Sequence, residues 1–143
     1  MGKASNLANI QAIQSHQDGS NKTKFHSKDL IQIEALTPAQ IQTFMSWNND
    51  QHLLLDGCAG SGKTFLAIYL GLREVLEESS EYDKAIVVRS CVPSREQGFL
   101  PGTKEEKEEI YQLPYVAICD ELFPYKKSWE NLQKRSYVEF ISS

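Results

Sequence analysis

Three stretches of this 143-residue sequence predict an α/β fold with a parallel sheet. Leu53-Leu54-Leu55 is a short apolar run stopped by Asp56-Gly57, which reads as a buried strand. Phe65 to about Ser79 contains few breakers and reads as a helix. Ala85-Ile86-Val87-Val88 is a second apolar run, ending at Arg89-Ser90. Strand, glycine-rich loop, helix and strand in that order form a βαβ unit, and the crossover sets its two strands parallel.

The remaining elements follow from local signals. Residues 1–28 are rich in Gln, Asn, Ser and Lys, with Leu7, Ile10 and Ile13 as the main apolar positions, and read as a flexible polar leader. The packed domain is expected over residues 29–143, opening with the alternating, strand-like Leu30-Ile31-Gln32-Ile33. Leu36-Thr37-Pro38-Ala39-Gln40 is a helix start: Thr37 suits the N-cap, Pro38 the first turn, and Gln40 stands three residues after the cap. Ile41, Phe44, Met45 and Trp47 form its apolar stripe, and Asn48-Asn49-Asp50 closes it. Beyond Arg89, a loop through Pro93 and Gly98-Phe99-Leu100-Pro101-Gly102 leads into a Glu- and Lys-rich helix and further helix. Tyr137-Val138-Glu139-Phe140-Ile141 reads as a third strand.

Composition narrows the function classes. Charged residues are 24% and hydrophobic residues 41%, an ordinary globular mixture for one domain. No apolar run reaches bilayer length and no signal-peptide pattern opens the chain, so the expectation is cytoplasmic, with no membrane partner. Cys58, Cys91 and Cys119 are widely spaced, without Cys-x-x-Cys, which argues against a disulfide framework and a zinc site. The net charge of −4 offers no overall basic stripe for nucleic acid. Lys126-Lys127 and Lys134-Arg135 read as a solvated helix face.

The chemistry concentrates in Gly57-Cys58-Ala59-Gly60-Ser61-Gly62-Lys63-Thr64, the Gly-x-x-x-x-Gly-Lys-Thr pattern of a P-loop. Glycines let successive backbone N–H groups converge on a phosphate, and the helix that follows adds its own N-terminal N–H groups and positive dipole end. In this pattern Lys63 reaches the β- and γ-phosphates and the Thr64 hydroxyl is a Mg²⁺ ligand, with Phe65 next to the bound nucleotide. The cofactors implied are ATP, or a close relative, and Mg²⁺. Hydrolysis also needs a carboxylate at the end of another strand. Val116-Ala117-Ile118-Cys119-Asp120-Glu121 is a candidate by composition, but Glu108-Glu109-Ile110-Tyr111 before it and Leu122-Phe123 after it keep helical spacing. Asp120 and Glu121 are therefore assigned to a helix surface.

From Leu36 to Ile141 the sequence resembles the PhoH-like proteins, phosphate-starvation-associated P-loop ATPases of bacteria and bacteriophages. The resemblance rests on the P-loop, on Gly98-Phe99-Leu100-Pro101-Gly102 with Glu106-Lys107, and on Arg89 at a strand end. Tyr111, Pro114, Glu121-Leu122-Phe123 and Val138-Glu139-Phe140-Ile141 look like the bacteriophage branch. It implies a RecA-like core related to helicase motors, hydrolysis coupled to RNA or single-stranded DNA, and a ring-shaped homo-oligomer. It further implies that the strand carrying the Mg²⁺-coordinating Asp-Glu, and later arginines, follow residue 143, so the chain looks truncated at its C-terminus. Cys58 stands where a proline is common in the family, and Ser90-Cys91 replaces another proline context.

Two residues keep two readings. Gln40 matches a glutamine that reads the adenine edge in helicase-like ATPases, and equally completes a capping box with Thr37. Arg89 is a candidate nucleic-acid or phosphate contact, or a surface arginine. The Gly98 to Gly102 element fits a tight turn as well. The function expected is an ATP-binding P-loop NTPase. A non-hydrolysing nucleotide-binding or assembly module and a small-molecule kinase are the alternatives.

Overall fold

Two of the helices start at a threonine cap and one at a left-handed glycine. The computed structural model describes residues 25–90 and 102–143. A single 3-10 turn, Ser27–Asp29, precedes the first helix, α1 (Pro38–Asn48). The Thr37 hydroxyl accepts from the Gln40 N–H at 3.2 Å, and Pro38 occupies the first turn, where no N–H is required. Asn49 closes α1, its N–H reaching the Met45 and Ser46 carbonyls. The second helix, α2 (Lys63–Leu76), springs directly from left-handed Gly62, φ 85°. It stops three residues short of Ser79: Glu77 is extended, and Glu77-Glu78 would set negative charge against the negative end of the helix dipole.

Strand β1 (Ala85–Arg89) is followed by α3 (Lys104–Leu122), α4 (Ser128–Lys134) and β2 (Val138–Ser142). A full capping box starts α3, Thr103 accepting from the Glu106 N–H and Glu106 from the Thr103 N–H. The two strands pair in parallel, Ala85 opposite Val138 through Arg89 opposite Ser142, with α3 and α4 as the crossover. Period-2 alternation gives the sheet two unlike faces. Ala85, Val87, Val138 and Phe140 turn to the core, while Ile86, Val88 and Ile141 face outward.

The core is built on α2, where Leu70 and Leu72 are almost fully buried, against Cys119 and Leu122 of α3 and Trp129 and Leu132 of α4. Tyr115 stacks on Trp129 at 5.5 Å, and the Trp129 indole N–H donates to Gln112 at 2.8 Å, so the buried ring keeps its polar edge satisfied. Among the described residues no helix is long and apolar enough to cross a membrane.

The α/β class therefore holds, and two expectations within it are corrected. The sheet of the described residues has two strands, β1 and β2. The run at 53–55 forms no strand and lies outside it, and Leu54 is 95% exposed. A strand needs an edge to pair with, and here β1 pairs with β2, contributed by a segment about fifty residues later in sequence. The stretch at 30–33 is likewise no strand: Leu30 is buried, and the Ile31 N–H bonds to the Leu122 carbonyl at 2.9 Å, the end of α3 rather than a ladder. Phe25 is buried and meets Phe123, Tyr125 and Tyr137 edge-on at 5.3, 6.1 and 6.2 Å, so the packed unit already includes residue 25. The rest of the expected leader, Cys91, Pro93 and the turn from Gly98 to Pro101 lie outside the described residues.

Candidate functional site

The loop at 57–64 wraps around its own lysine. Lys63 Nζ donates to the Gly57 carbonyl at 2.8 Å, to the Cys58 carbonyl at 2.7 Å and, longer, to Ser61 Oγ at 3.4 Å. Ser61 Oγ donates in turn to the Cys58 carbonyl at 2.7 Å. Two glycines make this curl possible. Gly62 takes the left-handed conformation that launches α2, and a Cβ on Gly57, φ 156°, would come within 3.3 Å of Ser61 Oγ. Gly60 is also left-handed, at φ 78°. Cys58, Ala59 and Thr64 are exposed, whereas Phe65 is half-buried against the core and anchors the first turn of α2.

Electrostatically the loop suits an anion. The first backbone bond of α2 runs from the Leu66 N–H to the Gly62 carbonyl, so the N–H groups before it have no partner within the helix. No side chain caps them. With the ammonium of Lys63 and the dipole end of α2, they present positive charge to one point.

A cavity of about 350 Å³ joins this loop to α1, lined by Thr37, Gln40 and Thr43 on one side and Asp56, Ser61 and Lys63 on the other. The fold thus brings Gln40 to the P-loop from a separate helix. Its amide also caps α1: Oε1 accepts from the Leu36 N–H at 2.7 Å. A larger cavity of about 620 Å³ lies between residues 51–55, α2 and β1, lined mainly by apolar side chains such as Leu53, Leu70 and Val87. Lys63 and Thr64 stand on its border too.

Arg89 lines neither cavity. Its Nη1 donates to the Tyr111 carbonyl at 2.8 Å and its guanidinium lies 5.1 Å from the centre of the Tyr111 ring, fastening the end of β1 to α3. Asp120 and Glu121 lie exposed on α3, away from both cavities, as their helical spacing predicts. Among the described residues no group of three or more His, Cys, Asp or Glu side chains could hold a metal ion. If Mg²⁺ enters with a nucleotide, the exposed Thr64 hydroxyl is the protein oxygen that would hold it, as the P-loop pattern implies. Cys119, beside Asp120, is fully buried, and that burial, with the neighbouring carboxylate second, pushes its thiol up to about 12. Sequence reasoning missed Thr43 and Asp56 as cavity walls. The position of Asp56, directly before Gly57, was a usable signal; the Arg89–Tyr111 contact, 22 residues apart, had none.

A glycine loop curled around a lysine at the start of a helix, beside a parallel α/β sheet, defines a P-loop nucleotide-binding protein. The chain belongs to the PhoH-like protein family, whose model matches residues 32–142, a family of P-loop NTPases that in general bind ATP with Mg²⁺. It is 42% identical over 77 residues to Protein PhoH2 of Bacillus subtilis, a match covering 53% of this chain and 17% of the relative. It is 39% identical over 85 residues to a PhoH-like protein of Synechocystis sp., covering 58% of this chain and 25% of the relative. The matches thus span a quarter or less of those relatives. No solved structure matches the chain.

Proposed function

We propose that this chain binds ATP with Mg²⁺ in the loop at 57–64, and that hydrolysis belongs to the longer architecture of its relatives. The observation that carries the binding reading is the position of Lys63 Nζ, within 2.8 Å of two loop carbonyls at the start of α2. An entering polyphosphate exchanges these neutral acceptors for anionic oxygens, a stronger partner for an ammonium. The free N–H groups at the start of α2 hold the same phosphates, and Thr64 supplies an oxygen to the metal, whose chemistry is to neutralise charge on the β- and γ-phosphates.

In this reading the core is RecA-like and of the bacteriophage branch, and the whole protein couples hydrolysis to RNA or single-stranded DNA, working as a ring of subunits. Neither Asp120 nor Glu121 is the carboxylate that activates water in this reading, because neither lines a cavity that touches the loop. The same observation favours a second reading, a non-hydrolysing nucleotide-binding or assembly module. A small-molecule kinase is disfavoured, since among the described residues no arginine lines either cavity.

The test is a thermal-shift titration with ATP and Mg²⁺, run beside Lys63→Ala. A concentration-dependent rise in Tm that the variant loses is expected; saturating ligand at a hundred times Kd adds about 2.7 kcal/mol. Equal shifts in both proteins, or none in a chain that melts cooperatively, would sink the reading. Turnover by a longer relative but not by this chain separates the ATPase from the assembly module.

A further inference from the structure

We propose that Asp56 biases this loop toward metal-loaded over metal-free nucleotide, by setting a fixed negative charge beside the phosphates. That role rests on the reading of the loop as a triphosphate site, and adds what the residue in front of the loop selects.

Asp56 stands directly before Gly57 and is exposed. In the cavity of about 350 Å³ that joins the loop to α1, it is the one carboxylate and Lys63 the one cation among the described lining residues. The two do not pair. Lys63 Nζ is taken up by the Gly57 and Cys58 carbonyls at 2.8 and 2.7 Å. Asp56 has no hydrogen bond or ion pair among the described residues. The larger cavity, which Lys63 also borders, has no carboxylate among its described lining residues. Asp56 is thus the one acidic side chain there that shares a cavity with the loop.

A polyphosphate that takes over the Lys63 ammonium leaves the Asp56 charge facing phosphate oxygens with no cation of its own. Like charges repel, and the energy scales with the product of the charges, so each negative charge taken off the ligand removes a share of the penalty. A divalent cation cancels about two charges of the triphosphate, and about two such shares go with them. The penalty therefore falls mainly on the metal-free nucleotide. Because Asp56 is exposed, water and salt reduce its reach to a modest effect. That effect depends on the phosphates alone, and is the same whichever cavity receives the base.

The experiment measures Kd for ATP with Mg²⁺ and for ATP with EDTA, on the whole chain and on Asp56→Asn, at low and moderate salt. Inorganic tripolyphosphate with EDTA, a ligand without a base, is measured beside them. Asparagine keeps the size of the side chain and removes its charge, so Tm without ligand is expected to stay unchanged. In Asp56→Asn, metal-free ATP and tripolyphosphate should bind about two- to fivefold tighter at low salt, and ATP with Mg²⁺ less than about twofold tighter. The difference should shrink as salt rises past about 0.1 M, where the Debye length is about 10 Å. Asp56→Ser, smaller and also neutral, is expected to behave alike, which assigns the effect to charge and not to shape. An equal change for the metal-free and metal-loaded ligands, or no change for either, would overturn the proposal. Weaker binding of ATP with Mg²⁺ in Asp56→Asn also overturns it, since the carboxylate would then hold the metal or the ribose. Failure of every phosphate ligand to bind a cooperatively folded, unaltered chain removes the triphosphate reading, and this inference with it.

Discussion

Cys58 and Cys119 share a side chain and differ in everything their surroundings impose. Cys58 is exposed on the nucleotide loop, whereas Cys119 is sealed beneath α3 with its thiol pushed up to about 12. In a Cys91→Ser background, a thiol reagent is expected to modify Cys58 in the native protein and Cys119 only after unfolding, and ATP with Mg²⁺ is expected to slow the first reaction. The Cys119 thiol also makes stability depend on pH. The folded chain keeps a proton that the unfolded chain releases near the ordinary value of 9.0. Its contribution is therefore complete below pH 9 and drains away as pH rises toward about 12. Urea midpoints across that window should fall, and fall less in Cys119→Ala. An equal alkaline loss in that variant would assign the dependence to other groups.

Helix α1 is capped by the Thr37 hydroxyl as well as by the Gln40 amide, and α3 carries one residue that a helix does not welcome. Thr37→Ala removes the cap and is expected to cost about 1 kcal/mol in denaturant unfolding, with a further loss in nucleotide affinity because Gln40 is then less firmly placed. Pro114 stands inside α3 without an N–H for the Ile110 carbonyl. In that same broken turn the Tyr111 carbonyl receives the Arg89 guanidinium. Pro114→Ala restores a backbone bond in an exposed stretch of helix and is expected to raise Tm, with up to about 3 kcal/mol available from helix propensity. A lower Tm would mean that the interrupted turn is what seats Arg89 and ties β1 to α3.

At the scale of the molecule, the described residues cover the sheet on one face only. Ile86 is 57% and Val88 65% exposed, and both share the outer face with Ile141. A contiguous apolar surface of this kind marks an interaction site or an aggregation liability. The chain is expected to bind a hydrophobic dye while folded and to scatter more light as its concentration rises. Val88→Lys should reduce both signals without lowering Tm, since the residue makes little contact with the core. Unchanged scattering would place the liability elsewhere, with Leu54 as the next exposed candidate.

The sequence by itself determined what depends on neighbours three or four residues away. The cap at Thr37, the closure of α1 at Asn49, the glycine curl before α2 and the helical setting of Asp120 and Glu121 all belong to that class. These are local hydrogen bonds and φ values, legible without knowing where the rest of the chain goes. The tertiary structure alone decided that β1 pairs with β2 while 53–55 stays outside the sheet, that Phe25 enters the core, that Arg89 is held by Tyr111, and that Gln40 meets the loop from another helix. The reason is physical. An apolar run states that a segment will be extended and not which edge it pairs with, because strand pairing is settled by contacts distant in sequence and by the side chains that must be buried with them.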